Sequence, residues 1–209
     1  MLQLIHNRLG IKMKKILTDC DGVLLDWELA FHEWMRSKGY SKVNEGVYGV
    51  KLAYELDDEI DHHDIVREFN TSAWMGWLEV YRDAFKGVQD LWLAGYKFDV
   101  ITSMSRDPYA IKLREMNLHD KFGPYFMDRF VSLDTAEDKD EALSEYKDTG
   151  LWWVEDKPEN CDAGLRAGLR PILIDHLHNR WYDNPEVIRV SGWSEIASLV
   201  LEDQVNEVA

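Results

Sequence analysis

Asp19-Cys20-Asp21-Gly22 follows the apolar residues Ile16-Leu17-Thr18 and precedes Val23-Leu24-Leu25. In an extended segment residues i and i+2 project to the same side, so Asp19 and Asp21 converge just beyond a strand's carboxyl end. Two carboxylates so placed suit a magnesium ion and a phosphoryl group: one oxygen attacks phosphorus, and the other carboxyl moves the proton. Gly22 frees the backbone to turn sharply away. The alternatives are a strand-ending turn with solvated aspartates and a calcium loop. A calcium loop needs its glycine at the sixth position, with ligands spread over twelve; here the glycine comes fourth and apolar residues follow.

Three further segments put chemistry-bearing side chains at the ends of apolar runs. In Val100-Ile101-Thr102-Ser103 a hydroxyl beside the N–H groups of a following turn can hydrogen-bond a phosphoryl oxygen. Thr102 is the expected donor and Ser103 its competitor, since a one-residue change of register swaps them; a plain turn is the alternative. Trp152-Trp153-Val154-Glu155-Asp156 ends in two acids, and burying neighbouring carboxylates without a cation is costly. A metal shared with Asp19 and Asp21 offsets that cost, whereas acids decorating a helix N-terminus, with Glu159, are the competing reading. Lys139, in Asp138-Lys139-Asp140, can offset the charges of nucleophile and phosphate. Its rivals are Lys112, Arg106 and Lys147, and a lysine in an acidic run is ordinarily a solvated surface residue.

The elements that must position these groups are legible as apolar runs at 14–18, 96–102, 130–133, 151–154 and 171–174, which read as buried parallel strands. Helical patterns between them include Val88, Leu91 and Trp92, ending at Ala94-Gly95, and 163–167, ending at Gly168. The alternation predicts an α/β fold, a doubly wound, Rossmann-like parallel sheet with ligands at the strands' carboxyl ends. Residues 26–85 break it. They read as a small helical cap inserted after the first strand, with Trp27, Phe31 and Trp34 on one stripe and a second helix carrying Leu56, Ile60 and Val66. Such a cap sits above the active edge of the sheet and can exclude water. The expected organisation is an extension at 1–12, with Met13 as an alternative start, a core at 13–25 and 86–209, and the cap at 26–85. Trp27 and Trp74, with Phe31 and Trp77 behind them, either stack on a planar base or pack the cap's own core. His62-His63 between Asp61 and Asp64 look like metal ligands on paper, but adjacent helical residues diverge, so a solvated acidic face is expected. Cys20 is expected to point away from the phosphate.

With 209 residues, 45% of them hydrophobic, the chain can bury a core and one sizeable insertion. Its formal charge of −15 argues against a nucleic-acid polymer as partner. A small anion still binds where a metal and a lysine offset that field. Cys20 and Cys161 stand in no metal-ligand spacing, which fits a reducing compartment without disulfides. No apolar run of signal-peptide or transmembrane length is present, so a cytoplasmic protein with no membrane partner is expected, and a homodimer is left open.

Asp19, Thr102, Lys139 and Asp156, in that order and spacing, resemble the four motifs of the haloacid dehalogenase-like phosphohydrolases, over essentially the whole chain from Lys14. The resemblance implies that Asp19 is the nucleophile that becomes an aspartyl phosphate, and that Asp21 protonates the leaving oxygen and then activates water. It implies Mg2+ held by Asp19, the Asp21 main-chain carbonyl and Asp156, with Glu155 helping directly or through water. Thr102 and Lys139 would grip the phosphoryl oxygens. Within that superfamily the run from Asp19 to Trp27, with an aromatic just past the catalytic loop, is similar to the opening of the 5′(3′)-deoxyribonucleotidases and their bacterial and phage relatives. Val100-Ile101-Thr102-Ser103, Lys121-Phe122-Gly123-Pro124, His178-Asn179-Arg180 and Val190-Ser191-Gly192-Trp193 are also similar to that family. Met104 stands where it often has proline, and Glu155-Asp156 where it commonly has two aspartates. The expectation is a magnesium-dependent phosphomonoesterase for small phosphate monoesters, nucleoside monophosphates foremost. A sugar-phosphate phosphatase or phosphomutase is the alternative. A non-enzymatic binding protein on the same fold is the third reading, disfavoured by the presence of Asp19, Asp21 and Asp156.

Overall fold

In the computed structural model, which describes residues 14–44, 47 and 49–208, β1 (Lys14–Thr18) runs through the middle of a six-stranded sheet. The expected extension at 1–12 and the start at Met13 lie outside the described residues. The other strands are β2 (Tyr96–Ser103), β3 (Met127–Leu133), β4 (Trp152–Glu155), β5 (Arg170–Ile174) and β6 (Ile188–Val190). Their order is β3-β2-β1-β4-β5-β6, and every pairing is parallel. This is the doubly wound sheet expected from the alternation of runs.

Alternate residues along the strands feed two separate cores, which is why each run reads as continuously apolar. Ile16, Phe98, Val100, Trp152 and Val154 belong to one cluster, with α4 (Ala84–Leu93), α5 (Pro108–Phe122) and α8 (Trp193–Val208) supplying Leu91, Ala110, Leu118 and Ile196. Leu17, Ile101 and Trp153 face the other way, against Leu143 of α6 (Asp140–Ser144) and Ala163 of α7 (Pro158–Arg166). Gly95 and Gly168 follow the helix ends as expected, both at positive φ. Two edges differ from expectation. β3 begins at Met127, because its first residues, including Asp128 and Arg129, line a partly exposed edge and carry no apolar run. β6 was not anticipated: three residues with two of them exposed give too weak a pattern.

Between β1 and α4 the chain forms α1 (Trp27–Ser37), α2 (Val50–Ala53), α3 (His62–Asn70) and a 3₁₀ turn (Ala73–Gly76). The stripe on α1 packs inward: Phe31 lies 4.6 Å from the Trp27 ring, stacked, and meets Tyr54 and Phe69 edge-on. Leu56 and Ile60 precede the helix they were expected to join. Asp61 caps that helix by accepting from His63 N at 2.8 Å, and acidic residues ahead of it favour turns over helix. The chain leaves the sheet layer at Leu25 and returns at Val80, where the two passes form an antiparallel bridge flanked by Asp26 N to Glu79 O (2.8 Å) and Tyr81 N to Leu24 O (2.9 Å). Among the described residues no helix is long and apolar enough to cross a membrane.

Candidate active site

Strand order makes the site. β1 and β4 are neighbours, yet the chain winds away from them in opposite directions, so a crevice opens at their carboxyl ends. Thr18 pairs with both Val100 and Val154, which brings Asp19 abreast of Ile101 and Glu155, one residue short of Thr102 and Asp156. The Asp19 amide donates to the Val154 carbonyl at 2.9 Å. After it the backbone curls: Leu24 and Leu25 amides donate to the Cys20 carbonyl, and the Gly22 amide to Leu25 O. Gly22 sits at φ +73°, and a Cβ there would lie 2.7 Å from Asp156 Oδ2. Gly22→Ala is therefore expected to lower stability by about 1–3 kcal/mol through backbone strain. By displacing Asp156 it should also cut turnover about 100-fold. Thermal melting and a phosphate-release assay on the variant check this, and wild-type behaviour in both would contradict it.

Lys139 has left the surface. Its side chain is 2% exposed, and Nζ lies 2.7 Å from both Asp19 Oδ1 and Glu155 Oε1. The rivals Lys112, Arg106 and Lys147 are exposed, and Arg106 is engaged with Glu137. Glu155 is saturated by protein donors: Oε1 accepts from Lys139 Nζ and from Asn160 Nδ2 (2.5 Å), and Oε2 from the Asp156 and Lys157 amides (2.6 and 2.9 Å). Asp19 Oδ1, although ion-paired, has no aligned hydrogen-bond donor, and Asp156 Oδ1 is buried without a partner. One oxygen each of Asp19, Glu155 and Asp156 lie within 4.8 Å of one another. An all-oxygen, buried cluster with an unpartnered Asp156 oxygen and one lysine against three acids fits a hard divalent cation such as Mg2+. Asp19 and Asp156 are the carboxylates with an oxygen to give it.

The charges show the same strain. Burial pushes the Asp19 carboxyl up to about 6 despite the opposing charge of Lys139. Asp156 is raised well above the usual range by burial and by Glu155. Glu155 goes the other way, to about 2, because Lys139 outweighs its burial. In the metal-free protein the contribution of Asp19 to stability is present below its unfolded value of 3.8 and lost as pH rises through about 6. Neutral, buried His176, lowered to about 4, acts in the opposite sense. Mg2+ competes with protons for the two aspartates, so the comparison that isolates them is melting temperature with Mg2+ minus that with chelator. That gain is expected to be small at pH 5 and to grow through pH 6 to 7.5, and to vanish in Asp156→Asn. A gain independent of pH would contradict the assignment.

Thr102, 1% exposed, lines the cavity beside Asp19. Ser103 also reaches the wall, but its hydroxyl donates to the Glu137 carbonyl at 2.7 Å and so ties down the loop ahead of Lys139. Cys20 is buried and its thiol is pushed up to about 12, mainly by burial, so it stays protonated. Arg114, in mid-α5, is wholly buried with Nη1 against Asp21 Oδ1. Burial alone would depress its pKa, but the Asp21 carboxylate beside it more than offsets that.

After β5, His176 Nε2 meets the Gly22 carbonyl at 2.9 Å, and since a carbonyl only accepts, Nε2 carries the proton. Nδ1 then accepts from the Tyr81 hydroxyl at 3.3 Å, with the two rings stacked. Asn179 Nδ2 donates to Asp156 O and Ile174 O, each at 2.8 Å. Arg114, His176 and Asn179 were not assigned from sequence. His176 stands two residues past the end of β5, one further than Asp156 stands past β4, so a search for polar residues just after each apolar run reaches it. Arg114 carried only the signal of a charge on the stripe Ala110, Arg114, Asn117, Leu118.

Asp19, Asp21, Thr102, Lys139, Asp156 and His176 line a cavity of about 590 Å³ whose opposite wall comes from α1–α3. Trp27 is in that wall, with one face taken by Phe31 and Nε1 donating to Asn70 Oδ1 at 2.9 Å. Trp74 and Trp77 lie outside it, both exposed. His62 and His63 do line it, at the first two positions of α3, where their rings lie 4.1 Å apart rather than diverging.

No family model matches this chain, and no curated protein matches it. Solved structures do. A haloacid dehalogenase-like hydrolase from Streptococcus pneumoniae is similar with a TM-score of 0.63 at 12% identity, over 90% of this chain and 98% of that one. CbbY from Rhodobacter sphaeroides, solved in complex with phosphate, gives 0.59 at 20% identity, over 88% and 96%. L-2-haloacid dehalogenase from Xanthobacter autotrophicus, with chloropropionic acid covalently bound, gives 0.58 at 12% identity, over 90% and 98%. The fold is that of the haloacid dehalogenase-like hydrolases.

Proposed function

We propose that this protein is a magnesium-dependent phosphomonoesterase working through an aspartyl phosphate on Asp19. The observation that carries the reading is the buried Lys139 ammonium 2.7 Å from Asp19, on the floor of a large cavity, beside an unsatisfied carboxylate oxygen of Asp156. A nucleophilic carboxylate needs its approach to an anionic phosphoryl group made electrostatically tolerable. Lys139 and Thr102 face the phosphoryl oxygens; Asp19 and Asp156, with the Asp21 main-chain carbonyl, would hold Mg2+, which would supply further neutralisation of the phosphoryl charge. Glu155 orients Lys139 and the 155–157 turn. Asp21 protonates the leaving oxygen and then takes the proton of the attacking water.

A nucleoside monophosphate is the substrate class we favour. Trp27 in the wall, fixed at its Nε1 by Asn70, offers an aromatic surface, and 590 Å³ accommodates a ligand of that size. The half-covered Trp27 face and the placement of Trp74 weaken stacking as the main determinant. A sugar phosphate is the second reading, supported by the structural likeness to CbbY, a variant of which was solved with xylulose-(1,5)-bisphosphate at 18% identity. Inorganic phosphate release from deoxynucleoside, ribonucleoside and sugar phosphates, with Mg2+ or chelator, separates these. Magnesium-dependent release from deoxynucleotides supports the first; release from sugar phosphates alone selects the second; none from any substrate overturns the phosphomonoesterase.

A further inference from the structure

We infer that Arg114 is a positioning residue for the proton-transfer step: it holds one oxygen of Asp21 in the floor of the site so that the other faces the ester. The inference rests on the phosphomonoesterase reading.

The Arg114 side chain is 0% exposed, although it lies in the middle of α5 and far from Asp21 in sequence. Nη1 contacts Asp21 Oδ1 and, at 3.1 Å, Cys20 Sγ; Nη2 lies 3.0 Å from Met75 Sδ. The two sulfur atoms are weak, uncharged acceptors. Asp21 is therefore the carboxylate that balances this buried guanidinium among the described ion pairs, and a buried charge is tolerated only when paired in this way. Asp21 itself is not sealed off. Its side chain is 21% exposed and lines the cavity, while Oδ1 is tethered to Arg114. The same guanidinium touches Met75 of the 3₁₀ turn, which joins the orientation of Asp21 to the base of the inserted segment.

In the first step the Asp19 oxygen forms a bond to phosphorus as the ester P–O bond breaks, and Asp21, which has taken a proton from solvent on Oδ2 while Oδ1 goes on accepting from Arg114 Nη1, gives that proton to the leaving oxygen. In the second, water oxygen attacks phosphorus, Asp21 takes the water proton, and the Asp19–phosphorus bond breaks. Orientation of Asp21 matters most where the leaving oxygen is a strong base. A p-nitrophenolate departs without a proton; an alkoxide does not.

The test uses the full chain with Mg2+ and compares p-nitrophenyl phosphate with glycerol phosphate. Arg114→Met is expected to lower kcat on the alkyl ester about 100-fold, with a far smaller loss on the aryl ester and KM little changed on either. Arg114→Lys, which keeps a charge, should recover part of the alkyl rate. In an Asp21→Asn background Arg114→Met should add nothing. Equal losses on both esters, or independent losses in the double variant, would make Arg114 a packing residue and overturn the inference. If Arg114→Met does not fold, Arg114→Lys carries the same decision, since its loss is either selective for the alkyl ester or uniform. If the wild type hydrolyses neither ester, the same comparison is made on a 5′-nucleoside monophosphate, whose leaving group is also an alkoxide; a wild type that releases phosphate from none of these or from sugar phosphates overturns the underlying reading instead, and with it this one.

Discussion

Asp19→Asn is expected to reduce turnover by on the order of 10⁴-fold or more, the scale seen when a covalent nucleophile is removed, without loss of fold. The amide has the carboxylate's shape, so the hydrogen bonds of the 19–25 turn, which are main-chain bonds, are kept. Stability should not fall in the absence of metal. The wild-type carboxyl is held up near 6 by burial, so its charge is unfavourable at neutral pH when no cation is bound. An inactive variant that melts at or above the wild-type temperature in chelator, and that gains less from Mg2+, is the predicted combination. Phosphate release, a melt in chelator and a melt with Mg2+ read all three. Retained activity would remove Asp19 as nucleophile, whereas a collapsed melt in chelator would show that the charge is structural.

Lys139→Met is expected to have the largest effect on stability. It leaves Glu155, fully buried and held to about 2 by the lysine, facing Asp19 and Asp156 with no cation between them. Breaking a buried pair by removing one partner costs about 3–5 kcal/mol, which for a chain of this size lowers melting by roughly 6–20 °C. Added Mg2+ should return part of the loss by supplying charge to the same three carboxylates. Activity should not return with it, because the phosphoryl group loses its neighbouring ammonium. The same melts and assay decide the matter: an unchanged melting temperature would mean that Glu155 takes up a proton at little cost, and rescue of turnover by Mg2+ would remove Lys139 from the phosphate site.

Much of this site could be read from the chain because the signals are local. Asp19, Thr102 and Asp156 each end an apolar run, and parallel strands deliver their carboxyl ends to one edge whatever the details of packing. Lys139 was harder. In the sequence it is one lysine among acids, and its three rivals differed from it in nothing that neighbouring residues reveal; only burial separates them. Glu155 and Asp156 were read together as acids awaiting a cation. The structure divides their work, since the two amides that follow Glu155, together with Asn160, close on Glu155 and leave Asp156 with an unsatisfied oxygen. The aromatic stripe was read two ways. Trp27 and Phe31 both pack the inserted segment and line the cavity, and Trp74 does not reach it.

The sequence by itself determined the α/β class, the five apolar strands, the interruption after the first, and the residue types at the strand ends. These follow from period-two burial, turn residues and chain direction, all of which act within a few neighbours. Tertiary structure alone decided that Lys139 lies inside, that His176 holds the Gly22 carbonyl, and that a buried arginine 93 residues away grips Asp21. Each of those is a pairing of charges or polar groups across separate elements. Its energy depends on removal from water, and which groups are removed from water together is settled only when the helices pack onto the sheet.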